Sequence, residues 1–363
     1  LLLLNFCVGD TIHFLIFFFT SKEAIMAWDL PAWMLAGMVG TTCVASLASG
    51  ALHTVGVGGT YSNIGDAWAA AGANDTIQFV DSDDYSSGTL SLAGKTGLTI
   101  ESAVGQRATI NFADGSDGFL LLADNVTFRN LNLNTQDGTS GGTGSIISGG
   151  DHTTGLNATI TNVSFVRTVQ LGNYDVTALV DTAGGMQISY STFRGSGASP
   201  IGLGVGITWV PGTTATLNHN SLDNFMIPIS NPGDHGSSAT GLNVTNSAFG
   251  AWHSASWAGA ISLAADSENS VASEDYNAWY NGTGPFTYIP AGTVNSGGHT
   301  IGSNTFAGVF VGNLGEGDWE VNPSLYTAAS DGTAIGAWQV IPEPSVFGLL
   351  SLGALATTLK RRR

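Results

Sequence analysis

Arg129, Arg167 and Arg194 each follow or begin a strand-like stretch and are the candidates for a base only if the chain is an enzyme that abstracts a proton, a step that also needs a positive charge to stabilise the developing anion. They stand one, seven and six positions beyond Phe128, Ile160 and Ile188, where those stretches start, so spacing alone does not gather them into one cluster. The stabilising charge would come from Ca2+, for which Asp81, Asp83 and Asp84 supply oxygen ligands; three acidic residues this close also describe a solvated turn. Paired carboxylates for glycoside hydrolysis are missing, since no Asp-Asp pair lies near a His on these stretches. Asp151-His152 and Asp234-His235 sit in Gly-rich loops and read as turns with an exposed His. Trp252, His253, Trp257, Trp279 and Tyr280 suit stacking on sugar rings, and suit the sealing of irregular loops equally well. No two-His metal motif, Gly-x-Ser-x-Gly elbow or phosphate loop is present, so no residue is assigned as catalytic or metal-binding from motif alone.

These residues need a scaffold, and the composition limits which one. Of 363 residues, 43% are hydrophobic and 10% charged, which excludes extended disorder. Gly is abundant at 50 residues while Pro is not, at 10, which suits many short strands joined by tight turns rather than a low-complexity linker. The formal charge is −17, and between residues 51 and 340 the only cations are Lys95, Arg107, Arg129, Arg167 and Arg194. That balance argues against a nucleic-acid partner and for solubility in salty or extracellular water. Both cysteines, Cys7 and Cys43, precede that stretch, so it has no disulfide and no thiol ligand.

A six-residue pattern, apolar at both ends, recurs through the middle of the chain. It starts at Ile100, Phe128, Ile160, Ile188, Leu217 and Val244, with spacings of 28, 32, 28, 29 and 27 residues. Side chains alternate in a straight strand, so two apolar residues five apart share one interior only if the chain bends between them. The third position supplies the bend: Asn130, Asn162 and Asn246 occupy it, and Asn tolerates the left-handed conformation. Tyr190 and His219 interrupt this row, and His219 reads as a member of the stack rather than as a ligand. Coils of about 28 residues, each burying its inner face on the next, make a parallel β-helix. The rival is a β-sandwich, whose turns come every 8 to 12 residues and whose strands need not resemble one another.

Ahead of the first repeat, Tyr61 to Gly72 places Ile64, Ala67, Trp68 and Ala71 on one helical face, which predicts a short amphipathic helix covering the N-terminal end of the core. Asn74-Asp75-Thr76-Ile77-Gln78-Phe79-Val80 then reads as the first strand. Helix and strand together resemble the entry into pectin-lyase-like right-handed β-helices, with Asn74 in place of a Gly. Ser273 to Tyr280 and Ser330 to Trp338 resemble segments common late in the same superfamily. The resemblance spans about residues 55 to 340 and implies a right-handed parallel β-helix. Its enzymes cleave acidic polysaccharides on one lateral face, by lyase chemistry that would call on Arg129, Arg167 or Arg194 or by hydrolase chemistry. The stretch from residue 195 to 359 contains no Lys or Arg at all, which weakens the lyase reading.

The two ends read as addresses. Residues 1–25 precede Met26 and read as a mis-translated upstream segment. Residues 26–50 resemble a secretory signal peptide, with an apolar run from Leu30 to Leu47 and cleavage expected near Gly50 and Ala51. Residues 341–363 carry Pro342-Glu343-Pro344, an apolar span from Ser345 to Leu359, and the basic Lys360, Arg361, Arg362 and Arg363. This order resembles the PEP-CTERM sorting domain of Gram-negative bacteria that make extracellular polysaccharide. The resemblance implies an exosortase-type protease as partner and transient inner-membrane insertion through a C-terminal hydrophobic helix, with the basic cluster in the cytoplasm. The expectation is therefore an exported surface or matrix protein, non-catalytic and associated with extracellular polysaccharide, with a polysaccharide lyase or hydrolase as the alternative.

Overall fold

The computed structural model describes residues 2–8, 11–17, 50–113, 117–121, 123–135, 145–149, 156–167, 178–183, 185–195, 203–208, 214–225, 227–231, 241–251, 260–263, 271–280, 286–288 and 293–337. The sorting tail, most of the signal-peptide segment, Asp151-His152, Asp234-His235, Trp252, His253 and Trp257 lie outside the described residues. The chain divides into two units, Leu1–Ala48 and Ser49–Arg363. In the first, strands Leu2–Val8 and Thr11–Phe17 pair antiparallel.

The second unit is a parallel β-solenoid. Strands about 28 residues apart in sequence lie side by side in register, coil on coil, so a β-sandwich is ruled out. The repeat pattern sets this register. Ile100 pairs with Phe128, Phe128 with Ile160, Ile160 with Ile188, Ile188 with Leu217, and Leu217 with Val244, and each of these six is at most 1% exposed. Each such side chain contributes about 1.5–3 kcal/mol when buried. A second column, Leu133, Phe165, Phe193, Leu222 and Phe249, comes from the other end of the six-residue motif. Within it Phe165 and Phe193 stack with centroids 4.7 Å apart. A third column runs through Phe119, Ile147, Val180 and Ile229 on a separate eight-stranded sheet.

The bend between the first two columns lies at the third motif position. Asn130, Asn162, Tyr190, His219 and Asn246 have φ of 57°, 54°, 52°, 54° and 54°, and Tyr276 continues the row at 55°. Tyr190 and His219 replace Asn without changing the backbone, so the row is interrupted in residue type and not in conformation. Strands Val126–Thr135 and Ala158–Arg167 run through this bend, pairing on one side of it with one neighbouring strand and on the other side with another, which joins the first two sheets.

At the N-terminal end, helix α1 (Ile64–Ala70) buries Ile64, Ala67 and Trp68, and Trp68 meets Phe119 of the third column at 5.7 Å. The Asn63 side chain starts the helix by accepting from the Asp66 amide at 2.9 Å. Lys95 ends it: the ammonium donates to the carbonyl oxygens of Trp68, at 2.9 Å, and Ala71, two of the acceptors a helix C-terminus leaves open. Asn74, standing where the resemblance has Gly, adopts φ 61°. Among the described residues no helix is long and apolar enough to cross a membrane.

Candidate binding groove at the bend

Directly after each left-handed residue comes a position that is apolar in the early coils, at Leu131 and Val163, and polar in the later ones. Ser191, Asn220, Ser247 and Asn277 occupy it there, and all four are fully buried. They form a ladder along the solenoid axis. The Val163 amide donates to Ser191 Oγ, the Ser191 amide to Asn220 Oδ1, the Asn220 amide to Ser247 Oγ, and the Ser247 amide to Asn277 Oδ1, at 2.9 to 3.2 Å. Asn220 and Asn277 also donate to the Ile188 and Val244 carbonyls at 3.0 Å. The ladder satisfies backbone groups that the bend takes out of the sheet hydrogen bonding, and so fixes the outer surface above it.

That surface carries the candidate site, a groove of about 730 Å3. Its floor is the outward row Asn132, Ser164 and Thr192, in register on three successive coils, and its side is the bend row at Asn162 and Tyr190. Arg107, from the loop before strand Thr109–Phe112, lies across the early coils. Its Nε donates to Asn132 Oδ1 at 2.7 Å and its Nη1 to Asn162 Oδ1 at 3.0 Å, while Nη2 points to the Leu131 carbonyl at 3.5 Å. Burial lowers the pKa of this guanidinium.

The opposite wall comes from the C-terminal part of the chain, which folds back along the flank instead of adding coils. Phe310, Leu314, Trp319, Val321, Leu325 and Ile335 bury themselves around Ala248 and Ala278 on the outside of the second sheet. Polar contacts to the bend row hold this segment. His219 Nδ1 lies 3.0 Å from the Ala334 carbonyl oxygen and Nε2 lies 3.0 Å from Asp331 Oδ2. Asn246 accepts from the Ser330 amide at 2.8 Å, and the Gly336 amide donates to the Asn246 carbonyl at 2.7 Å. The fold-back brings Gly317, Asp318 and Trp319 to the groove. His219 is thus a stack member, as its place in the row suggests, and also an anchor.

The three sequence-derived arginines do not meet. Arg129 forms an ion pair with Glu101 of the preceding coil on the outside of the first sheet, with its side chain 51% exposed. Arg167 is 1% exposed, on the inward side of the strand whose Phe165 fills the core. Arg194 lies beside Asp223, to which its strand is paired, and its charge acts against the burial that raises the Asp223 pKa. Asp81 works as a turn carboxylate, accepting from Tyr85 Oη at 2.5 Å and from the Val57 amide at 2.7 Å. Burial would raise its pKa, but these donors hold it below the usual value. Asp83 donates its amide to Asp81 Oδ1 at 3.3 Å, Asp84 starts strand Asp84–Ser87, and among the described residues no group of three His, Cys, Asp or Glu side chains converges on a cation position. Trp279 continues the second apolar column, and Tyr280 packs edge-on against Phe306 at 6.0 Å. Gly50 and Ala51 directly precede strand Leu52–Val55, which pairs parallel with Thr76–Phe79, so the solenoid begins before the helix and not at Asn74; the Ala51 amide donates to Asp75 Oδ1 at 2.7 Å.

Spacing gave no reason to single out Arg107, Thr192, Asp318 or Trp319: the first belongs to a loop, and the last two reach the groove only through the fold-back. No protein-family model matches the chain, and no curated protein matches it.

Proposed function

We propose that the protein is an exported surface or matrix component whose solenoid binds extracellular polysaccharide without cleaving it. One observation carries this reading: a groove floored by amides and hydroxyls repeating from coil to coil, with the aromatic rings of Tyr190 and Trp319 beside it. Pockets of this volume with a few convergent polar groups are typical of small-ligand sites, and repeated hydroxyl and amide groups beside an aromatic face suit sugar units. Arg107 is committed to its Asn partners, and Asp318 is the single carboxylate among the described lining residues, which supports binding over acid-base cleavage.

Delivery rests on the ends of the chain. Residues 26–50 act as a signal peptide cleaved near Gly50 and Ala51, and the Pro342-Glu343-Pro344 tail with its basic terminus acts as a PEP-CTERM signal read by an exosortase-type protease after transient membrane insertion. The solenoid is right-handed, as nearly all parallel crossovers are, and α1 closes its N-terminal end. The test is to incubate the purified full chain with the polysaccharide of an exosortase-bearing bacterium and with a panel of acidic and neutral glycans, measuring retention and products. Retention without new chain ends is expected. Release of unsaturated or reducing ends would establish the lyase or hydrolase reading instead.

A further inference from the structure

The bend row carries a ring at Tyr190 and at His219 but only an amide at Asn162, one coil earlier. Tyr190 stacks on His219, with centroids 4.9 Å apart and planes 13° from parallel, so one face of the phenol is covered. Its other face looks along the axis toward the coil of Asn162, where the row has lost its ring. Asn162 and Arg107 close the far side of this step, and Thr161, Ser164 and Thr192 line it.

We infer that this step is a sugar subsite, holding one pyranose unit of a neutral glycan against the free face of Tyr190. The inference rests on the glycan-binding reading above and adds the position and the ligand class. Pyranose C–H groups pack on an aromatic face, and a ring placed there continues the row that Tyr190 and His219 begin. Thr192 supplies a second, independent observation. It is only 9% exposed, it lines the groove, and its hydroxyl oxygen is shielded from solvent with no hydrogen-bond partner among the described residues. A buried hydroxyl without a partner costs free energy, and a small shift of the lining on binding would open it to a sugar hydroxyl. Neutrality follows from charge. The described lining residues carry one cation, Arg107, already shared between two Asn oxygens, and one exposed carboxylate, Asp318, suited to accept a hydrogen bond from a sugar hydroxyl. The formal charge of −17 on the whole chain disfavours approach of a polyanion.

The test uses the full chain with cellohexaose as neutral probe and hexagalacturonate as acidic probe, measured by titration calorimetry. Tyr190→Asn removes the ring while keeping a residue type that the same bend accepts at positions 130, 162 and 246. Thr192→Val removes the hydroxyl at nearly constant shape, and Tyr276→Asn removes a ring elsewhere in the row as control. Cellohexaose should bind, with little dependence on salt; Tyr190→Asn should weaken it by about tenfold, Thr192→Val by several-fold, and Tyr276→Asn not at all. Preference for hexagalacturonate, no binding of cellohexaose, or equal binding by Tyr190→Asn would overturn the inference. If the bacterial polysaccharide is nevertheless retained, the general binding function stands and only the subsite fails; if no glycan is retained, both fall.

Discussion

Asn220 joins two neighbouring coils from inside the core, accepting from the Ser191 amide at 3.1 Å and donating to the Ile188 carbonyl at 3.0 Å, while being completely buried itself. A single side chain therefore serves two backbone groups of the bend. Asn220→Ala leaves both without partners in a place water does not reach, at a cost of about 2–4 kcal/mol. The urea midpoint should fall accordingly. Loss of less than about 1 kcal/mol would show that the ladder contributes little.

The left-handed row gives a prediction in which side-chain loss cancels. Asn130 has φ 57° and accepts from Asn162 Nδ2 at 2.9 Å. Both Asn130→Gly and Asn130→Val remove that bond, but only Val meets the steric penalty of this backbone region. The Val variant should be the less stable by about 1–2 kcal/mol in denaturant titration. Equal stability would mean that the bend is not held in this conformation in solution.

The row also marks where sequence stops being sufficient. The spacing of Ile160, Ile188, Leu217 and Val244 identifies the coil and its register, because burial on both sides of a bend forces a five-residue interval that few other folds demand. Asn130, Asn162 and Asn246 advertise the bend through their tolerance of positive φ; Tyr190 and His219 do not, since bulky residues rarely adopt it, and only their place in the repeat reveals it. Ser191, Asn220 and Ser247 are visible as polar letters, but nothing local says that a polar side chain is turned inward to serve the backbone. Arg107 and Trp319 are illegible for a different reason. Their role depends on a loop path and on a segment returning along the flank to coils more than 100 residues earlier.

Acid and neutral conditions should act on two carboxylates in opposite directions. The Gly72 amide, foremost, and then the His53 side chain hold Asp75 below its ordinary value of 3.8, outweighing burial. Its contribution is therefore present above that value and is lost as pH falls through the lowered folded pKa. Burial raises Asp223 above 3.8, more than the Ala251 amide and the Arg194 charge offset. Its protonated form is the one the fold prefers, so stability is greatest below 3.8 and declines as pH rises through the raised folded pKa. Wild type should lose stability relative to Asp75→Asn on acidification, and relative to Asp223→Asn on going from acid to neutral pH. Urea titrations across that range check both, and a parallel pH dependence of all three proteins would contradict the assignment.

Lys95 is the only lysine between residues 51 and 340, and its ammonium sits 5.4 Å from the Trp68 ring centroid while capping α1 through the Trp68 and Ala71 carbonyls. Lys95→Met keeps the aliphatic packing and removes the cap. It should lower stability by about 1–2 kcal/mol, with amide exchange of residues 64–71 accelerated more than that of the later coils. Uniform acceleration along the solenoid would show that the cap acts on the whole fold and not on the helix.

His219 is one of the polar anchors of the returning segment. Its two ring nitrogens face the Ala334 carbonyl and Asp331 from within the bend row, and Asn246 makes the neighbouring attachment through Ser330 and Gly336. His219→Phe keeps a ring to stack on Tyr190 but loses both polar contacts, so the coil should persist while the segment from 323 to 337 opens more often. Limited proteolysis should then cut within that segment faster than in wild type, while far-ultraviolet circular dichroism stays unchanged. Since Asp318 and Trp319 belong to the same returning stretch, the groove should lose that wall in the same proportion, and glycan retention should fall with the rate of cleavage across a series of His219 and Asn246 variants. Faster cleavage with full retention would separate the anchor from the groove and leave the floor of Asn132, Ser164 and Thr192 as the part that binds.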